Sequence, residues 1–306
     1  MRDQWPQVDY GSWSATCDTL HAHTQILGKL SLALATPEPQ WQHAALRLTA
    51  RGLETAPLPA ADGSGTLGVT LDLRTHEAVV EHQDGGERRI PLWPHRPVAA
   101  VTRDVLEAVR ALAGPVEINP VPQETMWQTP LDEDTAHATY EPEQVRDFFA
   151  AATRAALVLA EFRAPYRGRA TPVNAWWGTL DLAVGLFSGR GADPPSPGLI
   201  ARNSMDAEEI AVGWWPGDPR HPRAAFYAYA YPGPDSLSEA ELEPAAAHWD
   251  TTLGEFVLDS NDILATPDPH AAALAFARSF AAHACTVCGW APALSASLEG
   301  RPPPVA

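Results

Sequence analysis

Apolar residues recur at helical spacing through residues 12–35, where Ile26, Leu27, Leu30 and Leu34 share one face and Ser12 stands at a capping position. Pro37 and Pro39 end that helix, because proline lacks the amide that a helix interior needs. The period then shortens. Residues 44–50 alternate as in a strand, and residues 67–73, 78–82 and 88–93 follow as further strands. Asp84-Gly85-Gly86 supplies hairpin-turn chemistry, so the stretch predicts an antiparallel meander. Residues 98–113 return to an amphipathic helical pattern that stops at Gly114-Pro115, and residues 116–119 read as a short strand.

A proline-punctuated connection fills residues 120–140. Pro142 then occupies a favourable first helical position, and Val145, Phe148, Phe149, Leu159 and Phe162 mark a third helix to about residue 163. Residues 174–186, 209–215, 225–231 and 254–258 are strand-like, and a helix capped by Asp268 with Pro269 behind it runs to about residue 285. The expected class is α+β, with largely antiparallel sheet and flanking helices. One integrated domain is expected over 1–298, with halves 1–135 and 136–298 of similar make-up, although no residue-level repeat relates them. Residues 191–198 read as a Pro-rich connector and 299–306 as a flexible tail.

Charge narrows the partners. A formal net charge of −17 disfavours nucleic acid and anionic membrane surfaces, which are bound by releasing counterions to Lys and Arg. No run of 18 apolar residues is present, the first residues lack a secretion-type apolar core, and three cysteines make no disulfide framework. The expectation is a cytoplasmic protein without cofactor or metal, with a small molecule as its partner and its oligomeric state open.

The 21 basic residues include a single lysine, Lys29. On a helical wheel it falls in one arc with Asp18, His21, Gln25 and Gly28, opposite the leucine-rich stripe. A solvated face in so arginine-rich a chain should show Glu, Arg and Ala instead. Lysine differs from arginine in losing its proton readily when desolvated. Two readings stand: Lys29 lines a small-molecule pocket that binds an anion or performs catalysis, or it forms a buried structural ion pair with Asp181 or Glu255. In the first, His21, Lys29 and His137 are the candidate catalytic groups. Gln25, Arg51, Trp177, Asp181, Arg190, Trp215, Tyr229 and Glu255 are the candidate ligand-binding groups, with the aromatic residues of the second half forming a wall and the two arginines clamping an anion. His23, on the apolar face, reads as a satisfied core histidine. His283, Cys285 and Cys288 form H-x-C-x-x-C, which is too few ligands for zinc and reads as reduced, partly buried thiols.

Thr19-Leu20-His21, Gln25-Ile26, Gly28-Lys29 and Thr49-Ala50-Arg51-Gly52-Leu53 open a series of ordered matches. It continues through Asp134 to His137, Trp177-Gly178, Asp181-Leu182-Ala183-Val184, Phe187-Ser188-Gly189-Arg190, Trp215-Pro216-Gly217, Phe226-Tyr227, Tyr229, Tyr231-Pro232 and Leu253-Gly254-Glu255-Phe256. In these the chain resembles a bacterial family known only as a domain of unknown function. The resemblance spans nearly the whole chain and implies no assigned site. The family pattern often carries histidine where this chain has Asn174 and Ala207, so a metal site built on those histidines would be absent here.

Overall fold

The computed structural model describes residues 5–300, and part of the predicted tail, 301–306, lies outside them. The chain is α+β and its two main sheets are antiparallel. It divides into two compact units. Among the described residues, one comprises Tyr10–Ala150 with Asn174–Asp181; the other comprises 5–9, Ala151–Val173 and 182–300.

The first unit is built on helix α1 (Tyr10–Leu34), which begins slightly earlier than its pattern predicts. Leu20, Ile26, Leu27 and Leu30 are fully buried, each contributing about 1.5–3 kcal/mol of apolar transfer. After a short 3-10 segment, Pro39–Ala44, come β1 (Arg47–Leu48), β2 (Gly52–Glu54), β3 (Leu58–Pro59), β4 (Thr66–Asp72), β5 (Glu77–His82) and β6 (Glu87–Pro91). They pair in the order β1-β2-β4-β5-β6, with β3 added to β4. The β5–β6 hairpin closes at the predicted turn, where the Gly86 amide donates to Asp84 Oδ1 at 2.8 Å and Gly85 takes φ +93°. Helix α2 (Val98–Ala113) buries Val98, Val101, Val105 and Val109 on one stripe against α1, β5 and β6. Gly114, at φ +85°, ends it as predicted.

Residues 116–119 are not a strand. With Pro120 next, and no neighbouring strand to pair with among the described residues, the short apolar run finds no ladder. Helix α3 (Pro142–Arg163) begins in the first unit and ends in the second. The segment Asn174–Asp181 returns to the first unit with β7 (Asn174–Trp176), bridged to the β1 region by Leu46 and Ala175.

In the second unit β8 (Asp181–Gly191) leads through α4 (Leu199–Ser204) to β9 (Ala207–Trp215), β10 (Ala225–Tyr231), β11 (His248–Asp250) and β12 (Glu255–Asp259). Their order is β11-β12-β10-β9-β8. A tight core of Trp215, Ala225 and Val257 takes Tyr227 and Leu253 against it. Helix α5 (Ser260–Leu264) precedes α6 (Pro269–Val287), which packs on β9 and β10; Asp268 caps it by accepting from the Ala271 amide at 3.0 Å. Helix α7 (Pro292–Leu298) follows. Among the described residues no helix is long and apolar enough to cross a membrane.

Candidate functional site on the polar face of α1

The arc that carries Asp18, His21, Gln25 and Lys29 is not a solvated face. Gln25 and Lys29 are buried, because two irregular segments, the 120–140 connection and the turn after β7, lie over it. Gln25 fastens both. Its amide nitrogen donates to Gln123 O at 3.0 Å and to Trp177 O at 2.9 Å, and its oxygen accepts from the Gln123 amide at 3.0 Å. One turn earlier, His21 Nε2 lies 3.0 Å from both Trp177 O and Gly178 O. Two carbonyl acceptors require that Nε2 carry the proton, which leaves Nδ1 with the lone pair. Burial pushes this imidazole down to about 4 and keeps it neutral at physiological pH. Part of the stripe's polarity therefore serves to satisfy loop carbonyls that would otherwise be buried unpaired.

Lys29 is different. Only 4% of it is exposed; its Nζ donates to Val121 O at 2.6 Å and stands 5.6 Å from the Trp177 ring centroid. An ammonium has three N–H donors, and among the described residues this one meets a single carbonyl and no carboxylate within ion-pair distance. Burial lowers its pKa to about 8. Trp177 is itself fixed, its Nε1 donating to Ala44 O at 3.0 Å. Gly28 lies beneath that ring: a Cβ there would come within 2.1 Å of the indole. Glycine is costly inside a helix, and here it admits the Trp177 side chain at close approach.

Two acidic groups lie on the same turn. Asp181 is buried and accepts from the Thr179 hydroxyl. The carboxyl of Glu124 rests against Gly178, where a Cβ would sit 2.3 Å from its Oε2. Glu124 holds φ +59°, a left-handed conformation that disfavours side chains, and burial, then the neighbouring Asp181 charge, raises its carboxyl pKa.

Towards the start of the arc, His137 donates from Nδ1 to Asp134 Oδ2 at 2.6 Å. Asp134 is fully buried and also accepts from the amides of Ala136 and His137. The rings of His137 and His21 lie on Trp127, with centroids 4.8 and 5.3 Å away. Asp18 receives a hydrogen bond from Tyr10 at 3.0 Å; burial raises its pKa, and the Tyr10 bond and His137 oppose the rise. His23 corrects an expectation: it is fully buried, but neither ring nitrogen has a hydrogen-bond partner among the described residues, and burial lowers it to about 3. It is a core histidine without satisfaction, packed near the Tyr140 ring.

Of the remaining candidates, Arg51 lies over the first sheet, with Asp72 and Glu81 each at 3.4 Å. Arg190, Trp215, Tyr229 and Glu255 belong to the second unit. There Arg190 pairs with Glu208 at 2.6 Å and donates to the carbonyls of Cys288 and Gly289, and Tyr229 donates to Glu209 at 3.2 Å. Cys17, Cys285 and Cys288 are not joined in disulfides. Among the described residues no group of three or more His, Cys, Asp and Glu side chains is arranged to hold a metal.

The sequence pattern does not single out Val121, Gln123, Glu124, Trp127 or Asp134 as site candidates. Their signal is the length of the 120–140 connection, since a structureless segment of that size inside a compact unit is usually functional. Searches of curated proteins and of solved structures return no match to this chain. A family model does match, over residues 5–297 and hence through nearly every element described above, and the chain belongs to that family, a family of unknown function (DUF5996).

Proposed function

We propose that the Lys29 end of the α1 face is a small-molecule site in which the amine recognises an anionic group. The observation that supports this reading is the buried ammonium with one backbone carbonyl and no counter-charge among the described residues. A desolvated cation left without an anion is costly, and its charge is favoured again when an anion arrives. Trp177 offers a flat apolar wall beside it, and Gln25 and Gln123 hold the covering segment in place. A pKa near 8 also makes the neutral amine accessible just above neutral pH, where it is a nucleophile or proton acceptor.

The single lysine makes the test direct. Reductive methylation with a carbon-13 label gives one side-chain signal, distinct from that of the N-terminal amine. Its titration is expected near pH 8, and inorganic phosphate or acetate should shift it saturably and raise its pKa. A titration at the ordinary 10.5 with no response to either anion rejects the site. Lys29→Met is expected to keep or raise the melting temperature while abolishing the anion response. A melting temperature lowered by several degrees would instead make Lys29 a structural residue.

A further inference from the structure

The Trp127 end of the face carries a second constellation, built from residues other than Lys29. Asp134 already accepts two backbone amides, and its remaining oxygen lies 2.6 Å from His137 Nδ1. The Asp134 carboxylate accepts from His137 Nδ1–H, and in the neutral imidazole of that tautomer Nε2 presents the lone pair. Trp127, against that ring, has a buried Nε1–H with no acceptor among the described residues. The Trp13 indole nitrogen is likewise without an acceptor among the described residues; Trp127 differs in that its ring packs against two imidazoles, His21 and His137. The charged and titratable groups facing His137 are Asp134 from its own segment and Asp18 and His21 from α1.

We propose that Trp127 and His137, with Asp134 behind the imidazole, form a proton-transfer site for a small molecule bearing an acidic hydroxyl, such as an enol or a hydroxamic acid. The ligand's O–H bond breaks, its proton passes to His137 Nε2, and the electron pair stays on the ligand oxygen. The Trp127 indole N–H donates to that oxyanion, and the imidazolium is stabilised by Asp134. No other bond changes and no oxidant or reductant is needed. Asp134 acts as a positioning residue, setting the tautomer of His137.

Acetohydroxamate is a suitable probe, followed by nitrogen-15 NMR of the histidines and of the Trp127 indole, the latter assigned with Trp127→Phe. Free protein should show the Nδ1–H tautomer at His137 and the Nε2–H tautomer at His21. Millimolar acetohydroxamate should shift the Trp127 indole proton saturably and convert His137 to imidazolium. Asp134→Asn makes the partner a donor, which should move the His137 proton to Nε2 and abolish this conversion. The proposal is overturned by an Nε2–H tautomer at His137 in the wild type, by the absence of a saturable shift, or by undiminished binding in a folded His137→Gln variant.

Discussion

Two buried ionisable residues, Lys29 and Glu209, face opposite problems at neutral pH. Lys29 has no anion beside it among the described residues and is pulled towards neutrality, whereas Glu209, with Tyr229 as its hydrogen-bond donor, is raised by burial to about 7. For Glu209 the native carboxyl binds its proton more tightly than the unfolded one, whose ordinary value is 4.5. Stability therefore falls as pH rises from about 4.5 to 7, by roughly 3 kcal/mol at most, and then levels. Glu209→Gln keeps an acceptor for Tyr229 and removes the charge, so denaturant unfolding at about pH 8 should show it more stable than wild type, with the difference gone at about pH 4. Equal stability at the higher pH would show that the carboxylate is solvated there. Neither residue's environment was readable from composition. Rarity pointed to Lys29, but Glu209 sits in an ordinary strand pattern and owes its state to neighbours distant in sequence.

At the scale of elements, α1 shows how far periodicity carries. Its existence, its end before Pro37 and its apolar stripe all followed from spacing, as did α2, α3, α6 and the Asp84-Gly85-Gly86 hairpin. The opposite face was legible as unusual but not as covered. A wheel shows which residues share a side, whereas the segment lying there comes from far along the chain, as in the Gln25–Gln123 pair. Gly28→Ala tests this packing. Helix propensity alone favours alanine by about 1 kcal/mol, but the added methyl meets the Trp177 indole at 2.1 Å, and Ala44 O holds that indole in place. Overpacking of this kind costs roughly 1–3 kcal/mol, so the variant should be less stable in chemical denaturation and should move the Lys29 signal. A more stable variant would mean that Trp177 does not sit on this helix.

Over the whole molecule, the two units should answer acid differently. His21 and His23 are held neutral in the native first unit, at about 4 and 3, whereas an unfolded imidazole takes up its proton near 6.5. Their contribution is complete above 6.5 and is lost as pH falls below it. In the second unit Glu209 has the reverse sign between 4.5 and 7. Hydrogen exchange, corrected for intrinsic rates, should show α1 and α2 less protected at about pH 5 than at about pH 7, and β9 and β10 better protected. Parallel loss of protection in both units would contradict these assignments. By itself the sequence determined the class of the fold, most of its helices and strands, and the distinctiveness of Lys29, because periodicity, proline, glycine and residue rarity act over short stretches of chain. The tertiary structure alone decided that the polar face of α1 is covered and its Gln25 and Lys29 buried, that His23 is unsatisfied, and that Trp127, Asp134 and His137 gather at His21. Desolvation and hydrogen-bond partnership are properties of what lies across from a residue, and those neighbours are set by packing between segments far apart in the chain.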